Sequence, residues 1–264
     1  MVENRVIAQW EAGHPVVAAW MTTHSLLVAQ TMAASGPDAV IVDMQHGSAT
    51  LDDVLSLVAC IEVRGAEPFV RMPSIDAGLI GRLLDGGVTG IIAPLVESRE
   101  QAQALVDAMF YPPQGRRSYG PRIPALRHGA SYASIANDNV VALAMIETAA
   151  GLAALDDIAS ADGLGGLFIG PSDLAFSLNY PPPNQEIPAQ VATAVELIRS
   201  KAAAAGKRAG IFCSSQLAAE AALNGGFDLV TAAPDLVLVE AGTRAVIAAC
   251  RSRMEDQRRK LATI

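Results

Sequence analysis

Val141-Ala-Leu-Ala-Met-Ile-Glu147 and Gly166-Leu-Phe-Ile-Gly-Pro-Ser-Asp173 are the runs whose reading decides the fold. Each is a short apolar segment bounded by turn residues, the pattern of a buried strand. Each leads into a lone carboxylate, which belongs at the rim of a sheet and not in its core. Two carboxylates on neighbouring strand ends make an oxygen site for a divalent cation. Oxygen ligands without His or Cys favour Mg²⁺ or Mn²⁺ over zinc.

With strands at Val141–Glu147 and Gly166–Gly170, comparable runs at Val16–Met21, Ala39–Asp43, Pro68–Arg71, Gly90–Pro94, Ala209–Cys213 and Asp228–Ala232 give eight candidate strands. Most are separated by helical spacing. Leu51, Val54, Leu55, Val58 and Ile61 follow the i, i+3, i+4, i+7 pattern, as do Val191, Val195, Ile198 and Ala202. Ser98-Arg-Glu-Gln101 predicts a capping box and Gly206 a helix stop. Strands alternating with helices imply parallel pairing through right-handed crossovers. A doubly wound open sheet would gather its ligand groups at one switch point, usually with a Gly-rich turn after the first strand, and none follows Val16–Met21. The polar residues lie instead at many strand ends: Asp43, His46, Arg71, Glu147 and Asp173. That scatter predicts an α/β fold of the (β/α)₈ TIM-barrel type, one domain over residues 1–264.

Two interruptions stand apart: the insert Tyr111–Asn139 and the loop Leu178–Pro188 with its Pro181-Pro182-Pro183 run. Long loops on the active face serve as lids or subunit contacts. The last segment, Pro234–Ile264, exceeds one barrel helix, and its excess could pack on another subunit.

The totals narrow the function classes. Of 264 residues 51% are hydrophobic and 17% charged, which excludes disorder. A net charge of −8 and the lack of a basic run before the final helix argue against nucleic acid. The C-terminal Arg251, Arg253, Arg258, Arg259 and Lys260 are interrupted by Glu255 and Asp256 and read as a solvated face. Cys60, Cys213 and Cys250 have no metal-ligand spacing, which suits a reducing, cytoplasmic compartment. The N-terminus lacks the layout of a signal peptide, and no apolar stretch is long enough to span a bilayer.

Each candidate side chain has a structural and a functional reading. Glu147 and Asp173 could each serve a helix N-terminus, yet together they fit a metal. Arg71 ends an apolar strand and needs an anion, either in a salt bridge or in a substrate. His46, just past the second strand, is placed for acid–base work. Asp85 could close a helix or orient His46. His24 reads as near a helix start, His14 and His128 as loop residues. Trp20 and Phe212, at strand ends, are either barrel packing or walls of a substrate pocket. There is no nucleophile elbow, no phosphate-binding loop and no lysine on a strand end.

Taken in order, these residues resemble the HpcH/HpaI family of metal-dependent class II aldolases acting on pyruvate-like donors. The markers are Asp43-x-x-His46, Arg71, Leu84-Asp85-Gly86-Gly87 through Gly90 to Pro94, Tyr111-Pro-Pro-x-Gly-x-Arg117, Ile146-Glu147-Thr148 and Gly170-Pro171-x-Asp173-Leu174. The resemblance implies that Glu147 and Asp173 hold Mg²⁺, Mn²⁺ or Co²⁺, which a 2-oxo acid chelates through its carboxylate and keto oxygens. It implies a substrate-binding turn at Gly170, Pro171, Ser172 and Asp173 whose backbone N–H groups hold the carboxylate. Arg71 would stabilise an enolate oxygen, and a His46–Asp85 pair would shuttle protons through a water. The expected reaction joins a 2-oxo acid donor, pyruvate or hydroxypyruvate, to an aldehyde acceptor, or cleaves a 4-hydroxy-2-oxo acid. A homo-oligomer, often hexameric, with exchanged C-terminal helices is also implied. Three positions depart from the family pattern: Gln45 where many members have Glu, Met145 where they often have Gln, and Ser118 where Gly follows the arginine. The competing readings are an acyl-CoA lyase of the citrate-lyase or malyl-CoA type and a non-catalytic barrel that binds a small acid.

Overall fold

The computed structural model describes residues 4–182 and 187–262. Pro183 and the last two residues of Pro234–Ile264 lie outside them. Eight parallel strands, β1 (Val16–Met21), β2 (Ala39–Asp43), β3 (Glu67–Arg71), β4 (Gly90–Ala93), β5 (Val141–Ile146), β6 (Gly166–Ile169), β7 (Arg208–Ile211) and β8 (Leu229–Thr231), pair in sequence order. β8 closes onto β1 with Val16 beside Leu229, completing the expected (β/α)₈ barrel. Strand ends fall within two residues of those expected.

The period of two along each strand sorts the core. Val16, Ala18 and Trp20 of β1 and Val141, Leu143 and Met145 of β5 fill the barrel interior with Phe69, Ile92, Phe168 and Leu229. Ala19, Met21, Ala142, Ala144 and Ile146 pack in the layer between strands and helices. Gly90 makes room for a large neighbour, since a Cβ there would lie 2.5 Å from the Phe69 ring. The same alternation continued to the C-terminal rim turns Asp43, Arg71, Glu147 and Gly170 inward.

The opposite end is plugged by a helix that the hydrophobic pattern did not reveal, Arg5–Glu11. Asn4 caps it, accepting from Val6 N at 2.9 Å and Ile7 N at 3.2 Å. Its Val6 and Trp10 join the interior cluster, and the Trp10 indole donates to Asp228 O at 2.9 Å. Helices Leu51–Glu62 and Ala189–Ala204 lie where their spacing predicts. Gly206 follows the second with φ +66°, a backbone conformation that favours glycine. The expected capping box at Ser98 forms only by half. Ser98 Oγ accepts from Gln101 N at 3.3 Å, but the Gln101 side chain turns to Glu97 N at 2.6 Å. His128 is also corrected: it closes helix Arg122–His128 in the insert and stacks on Tyr132. His24 precedes the cap Ser25 of helix Leu26–Ala34, and His14 lies in the loop before β1, as expected.

The C-terminal helix Asp235–Ala262 has 28 residues, about 42 Å of rise. From Leu236 through Met254 every side chain on it is exposed, among them Leu236, Leu238, Val246 and Ile247.

Candidate active site

A cavity of about 240 Å³ opens at the C-terminal rim of the barrel. Its wall gathers eight of the residues singled out from the sequence: Trp20, His46, Arg71, Gly170, Pro171, Ser172, Asp173 and Phe212. Thr22, Asp43, Met145 and Pro234 complete it. Larger grooves elsewhere on the surface contain neither Arg71 nor the two carboxylates.

Arg71 takes the salt-bridge role weighed for it and also lines the cavity. Its Nε donates to Asp43 Oδ1 at 2.9 Å and its Nη2 to Asp43 Oδ2, a buried bidentate pair. The guanidinium carbon stands 4.9 Å from the centroid of the Trp20 ring. Two of five N–H groups are thereby committed, and the rest of a fixed fork remains for a ligand in the cavity. Asp43 does more than neutralise Arg71, because its Oδ1 also accepts from Gln45 N at 3.0 Å and His46 N at 3.2 Å. Sequence marked Asp43 as a rim residue and left this clamp unseen. Trp20 is 1% exposed and packs against Phe168 and edge-on against Phe212. It is at once barrel packing, a platform for Arg71 and a patch of cavity wall.

Glu147 lies beside the cavity, 2% exposed. Its Oε1 accepts from Leu95 N at 2.9 Å. Leu95 has φ +53°, rare for a residue with a branched side chain, and that backbone turn belongs to the loop that brings its N–H to the carboxylate. Nothing in the sequence beyond the preceding Pro94 signalled it. Glu147 Oε2 is buried and has no hydrogen-bond partner. Burial pushes the carboxyl up to about 7, against the Leu95 N–H, with nearby Asp173 raising it further and Arg71 lowering it. A Cβ on Gly170 would sit 2.6 Å from both Glu147 Oε2 and Met145 Cε, so glycine keeps open the space that the carboxylate uses.

Asp173 is exposed in the first turn of helix Pro171–Ser177. Pro171 occupies the start of that helix, and no side chain caps it. The first-turn N–H groups of Ser172 and Asp173, both on the cavity wall, therefore have no side-chain acceptor. A buried carboxylate oxygen without a partner, a second carboxylate close by and a cavity beside them suit a hard divalent cation. Among the described residues no group of three His, Cys, Asp or Glu side chains could close around a metal. A cation here would draw on Glu147 and Asp173 and take its other oxygens from water and ligand.

The structure does not bring Asp85 to His46, which corrects the expected pairing within one chain. Asp85 is the last residue of helix Ala77–Asp85, which runs back from the rim beside β3, so it lies about a helix length below the cavity. There its Oδ1 accepts from Arg117 Nη2 at 2.7 Å. Arg117 in turn stacks 4.5 Å from the centroid of the Tyr111 ring.

Residues 17–240 match the model of the HpcH/HpaI aldolase/citrate lyase family. The chain belongs to that family. It is 47% identical to a hydroxypyruvate/pyruvate aldolase of Rhizorhabdus wittichii, over 94% of this chain and 99% of the relative. A 2-keto-3-deoxy-L-rhamnonate aldolase of Klebsiella pneumoniae is 32% identical, over 86% of this chain and 85% of its own. A crystal structure of a family member from Burkholderia cenocepacia superposes with a TM-score of 0.83 at 28% identity, covering 90% of this chain and 95% of that one. The Rhizorhabdus and Klebsiella relatives are named aldolases, and this HpcH/HpaI member is a carbon–carbon lyase of the same kind.

Proposed function

We propose that the chain catalyses reversible aldol addition of pyruvate or hydroxypyruvate to an aldehyde with a divalent cation held by Glu147 and Asp173. The single observation that carries this is the partnerless, buried Glu147 Oε2 next to Asp173 and a cavity containing Arg71. Mg²⁺, Mn²⁺ or Co²⁺ bound there supplies Lewis acidity that makes the α-protons of a 2-oxo acid removable. The first-turn N–H groups of Ser172 and Asp173, beyond Gly170 and Pro171, receive the donor carboxylate. Arg71, oriented by Asp43 and Trp20, directs its free N–H groups at the oxygen on which enolate charge develops. His46 exchanges protons with the substrate through a water. Asp85, remote from His46 within the chain, can assist it only across an interface between copies. Phe212 and Trp20 form the apolar wall on the side of the aldehyde.

The aldolase names of full-length relatives and the acidic net charge of −8 favour this reading over an acyl-CoA lyase, which needs a surface for an anionic nucleotide. The whole chain, 1–264, is proposed to work as one unit in a cytoplasmic homo-oligomer, hexameric with exchanged C-terminal helices. Support comes from the exposed Leu236, Leu238, Val246 and Ile247 on the last helix and from three free cysteines. No helix of the described residues is long and apolar enough to cross a membrane.

Incubation with a 4-hydroxy-2-oxo acid tests the proposal. Pyruvate release should vanish with chelator, return with Mn²⁺, and stay absent in Glu147→Gln at any Mn²⁺ concentration. Full activity in the chelated enzyme would contradict it.

A further inference from the structure

The first residue of the C-terminal helix is built into the rim of the cavity. Asp235 is 3% exposed. Its Oδ1 accepts from Thr22 N at 2.9 Å and Thr22 Oγ1 at 2.6 Å, and its Oδ2 from Thr23 N at 3.1 Å and Thr23 Oγ1 at 2.7 Å. Leu236 N adds a further donor to Oδ1 at 3.0 Å. Burial raises the carboxyl, but the bonds from Thr22 and Thr23 outweigh it and hold the group below its ordinary range. A helix of this length does not need such a start for its own sake. A single acidic residue in the first turn would serve the helix dipole while exposed.

Thr22 is the next link. It lines the cavity together with His46 and Pro234. Its carbonyl accepts from Ser48 N at 2.8 Å and Ser48 Oγ at 3.3 Å. Ser48 closes the loop that carries His46, and Asp43 holds the other side of that loop through Gln45 N and His46 N. Between the two anchors Gly47 lies so close to the Asp43 and Thr22 carbonyl oxygens that a Cβ would not fit. The His46 loop is thus clamped from two directions, by Asp43 and by the series Asp235, Thr22, Ser48.

We infer that Asp235 is a positioning residue: through Thr22 and Ser48 it fixes the loop that presents His46 to the cavity. The inference rests on the proton-transfer role given to His46 above. Asparagine is no substitute in this place. It offers one acceptor oxygen where the two threonines present four donors, and its NH₂ would meet a backbone N–H.

A double-mutant cycle on the metal-loaded enzyme tests this, with Asp235→Asn, His46→Ala and both together. Asp235→Asn is expected to lower kcat for aldol cleavage about twentyfold while KM for the oxo acid and Mn²⁺ affinity stay within about threefold. In the His46→Ala background the same substitution should cost less than about twofold. An equal loss in both backgrounds, or no loss in either, overturns the inference. A His46→Ala enzyme as fast as the parent overturns the His46 reading and the inference with it, and that single variant identifies the case. Thr22→Val provides a second cycle should Asp235→Asn not fold. It removes one hydroxyl donor and keeps the backbone links, with about a fivefold loss expected only when His46 is present, and an equal loss without His46 overturns the inference.

Discussion

At Glu147, burial and hydrogen bonding pull in opposite directions, and burial prevails: the carboxyl titrates near 7. In the unfolded chain it would ionise near the ordinary carboxylate value. The metal-free fold therefore loses stability as pH rises from that value through 7, and a bound cation removes the penalty. It follows that binding must displace a proton below pH 7. Titration calorimetry in buffers of different ionisation heat should find close to one proton released per Mn²⁺ at pH 6 and few at pH 8, with affinity about tenfold weaker at pH 6. Proton release that does not change with pH would contradict this. Met145 is the other residue to vary. It stands on the cavity wall, one of the positions at which the sequence departs from the expected family pattern, and its methyl abuts Gly170. Met145→Gln adds hydrogen-bonding capacity next to the donor. The ratio of kcat/KM for hydroxypyruvate over pyruvate should rise about five- to tenfold. An unchanged ratio would remove Met145 from donor selection.

Among the elements, the strands were the legible part. Apolar runs ending in turn residues gave all eight, because the strands, Val17 apart, are almost wholly buried on both faces and so read as near-continuous hydrophobic stretches. Their places at the C-terminal ends of parallel strands explain why Arg71, Glu147 and Phe212 could be placed on one rim without coordinates. Helix Arg5–Glu11 was not legible. It is short and buries only Val6 and Trp10, too few apolar positions to form a stripe. The Asp43 clamp and the Leu95 N–H were hidden for a different reason: both are set by how neighbouring strand ends and loops meet, and no local pattern encodes that. That Asp85 meets Arg117 and not His46 within the chain was also hidden, because a family marker gave its identity but not its height on the barrel. Within the strands, Gly90 against Phe69 is the tightest interior fit to test. Gly90→Ala should destabilise by about 1–3 kcal/mol through overpacking. Chemical denaturation would measure it, and a neutral result would show that the Phe69 ring can move aside.

On the scale of the whole molecule, a closed barrel supports a long helix that makes few contacts with it. Exposed Leu236, Leu238, Val246 and Ile247 are more apolar surface than an isolated helix leaves in water without cause. Deleting 241–264, which spares Asp235, should reduce the assembly seen by light scattering on a sizing column. An unchanged mass would place the subunit contacts elsewhere. The last helix begins at Asp235, on the rim of the cavity, while the proposed chemistry belongs to Glu147, Asp173 and Arg71. The most direct test is deuterium exchange into the methyl group of pyruvate, followed by NMR with and without Mn²⁺, in the parent enzyme and in Glu147→Ala. Exchange should require the metal and be lost in the variant. Exchange without metal, or exchange untouched by the substitution, would contradict the account.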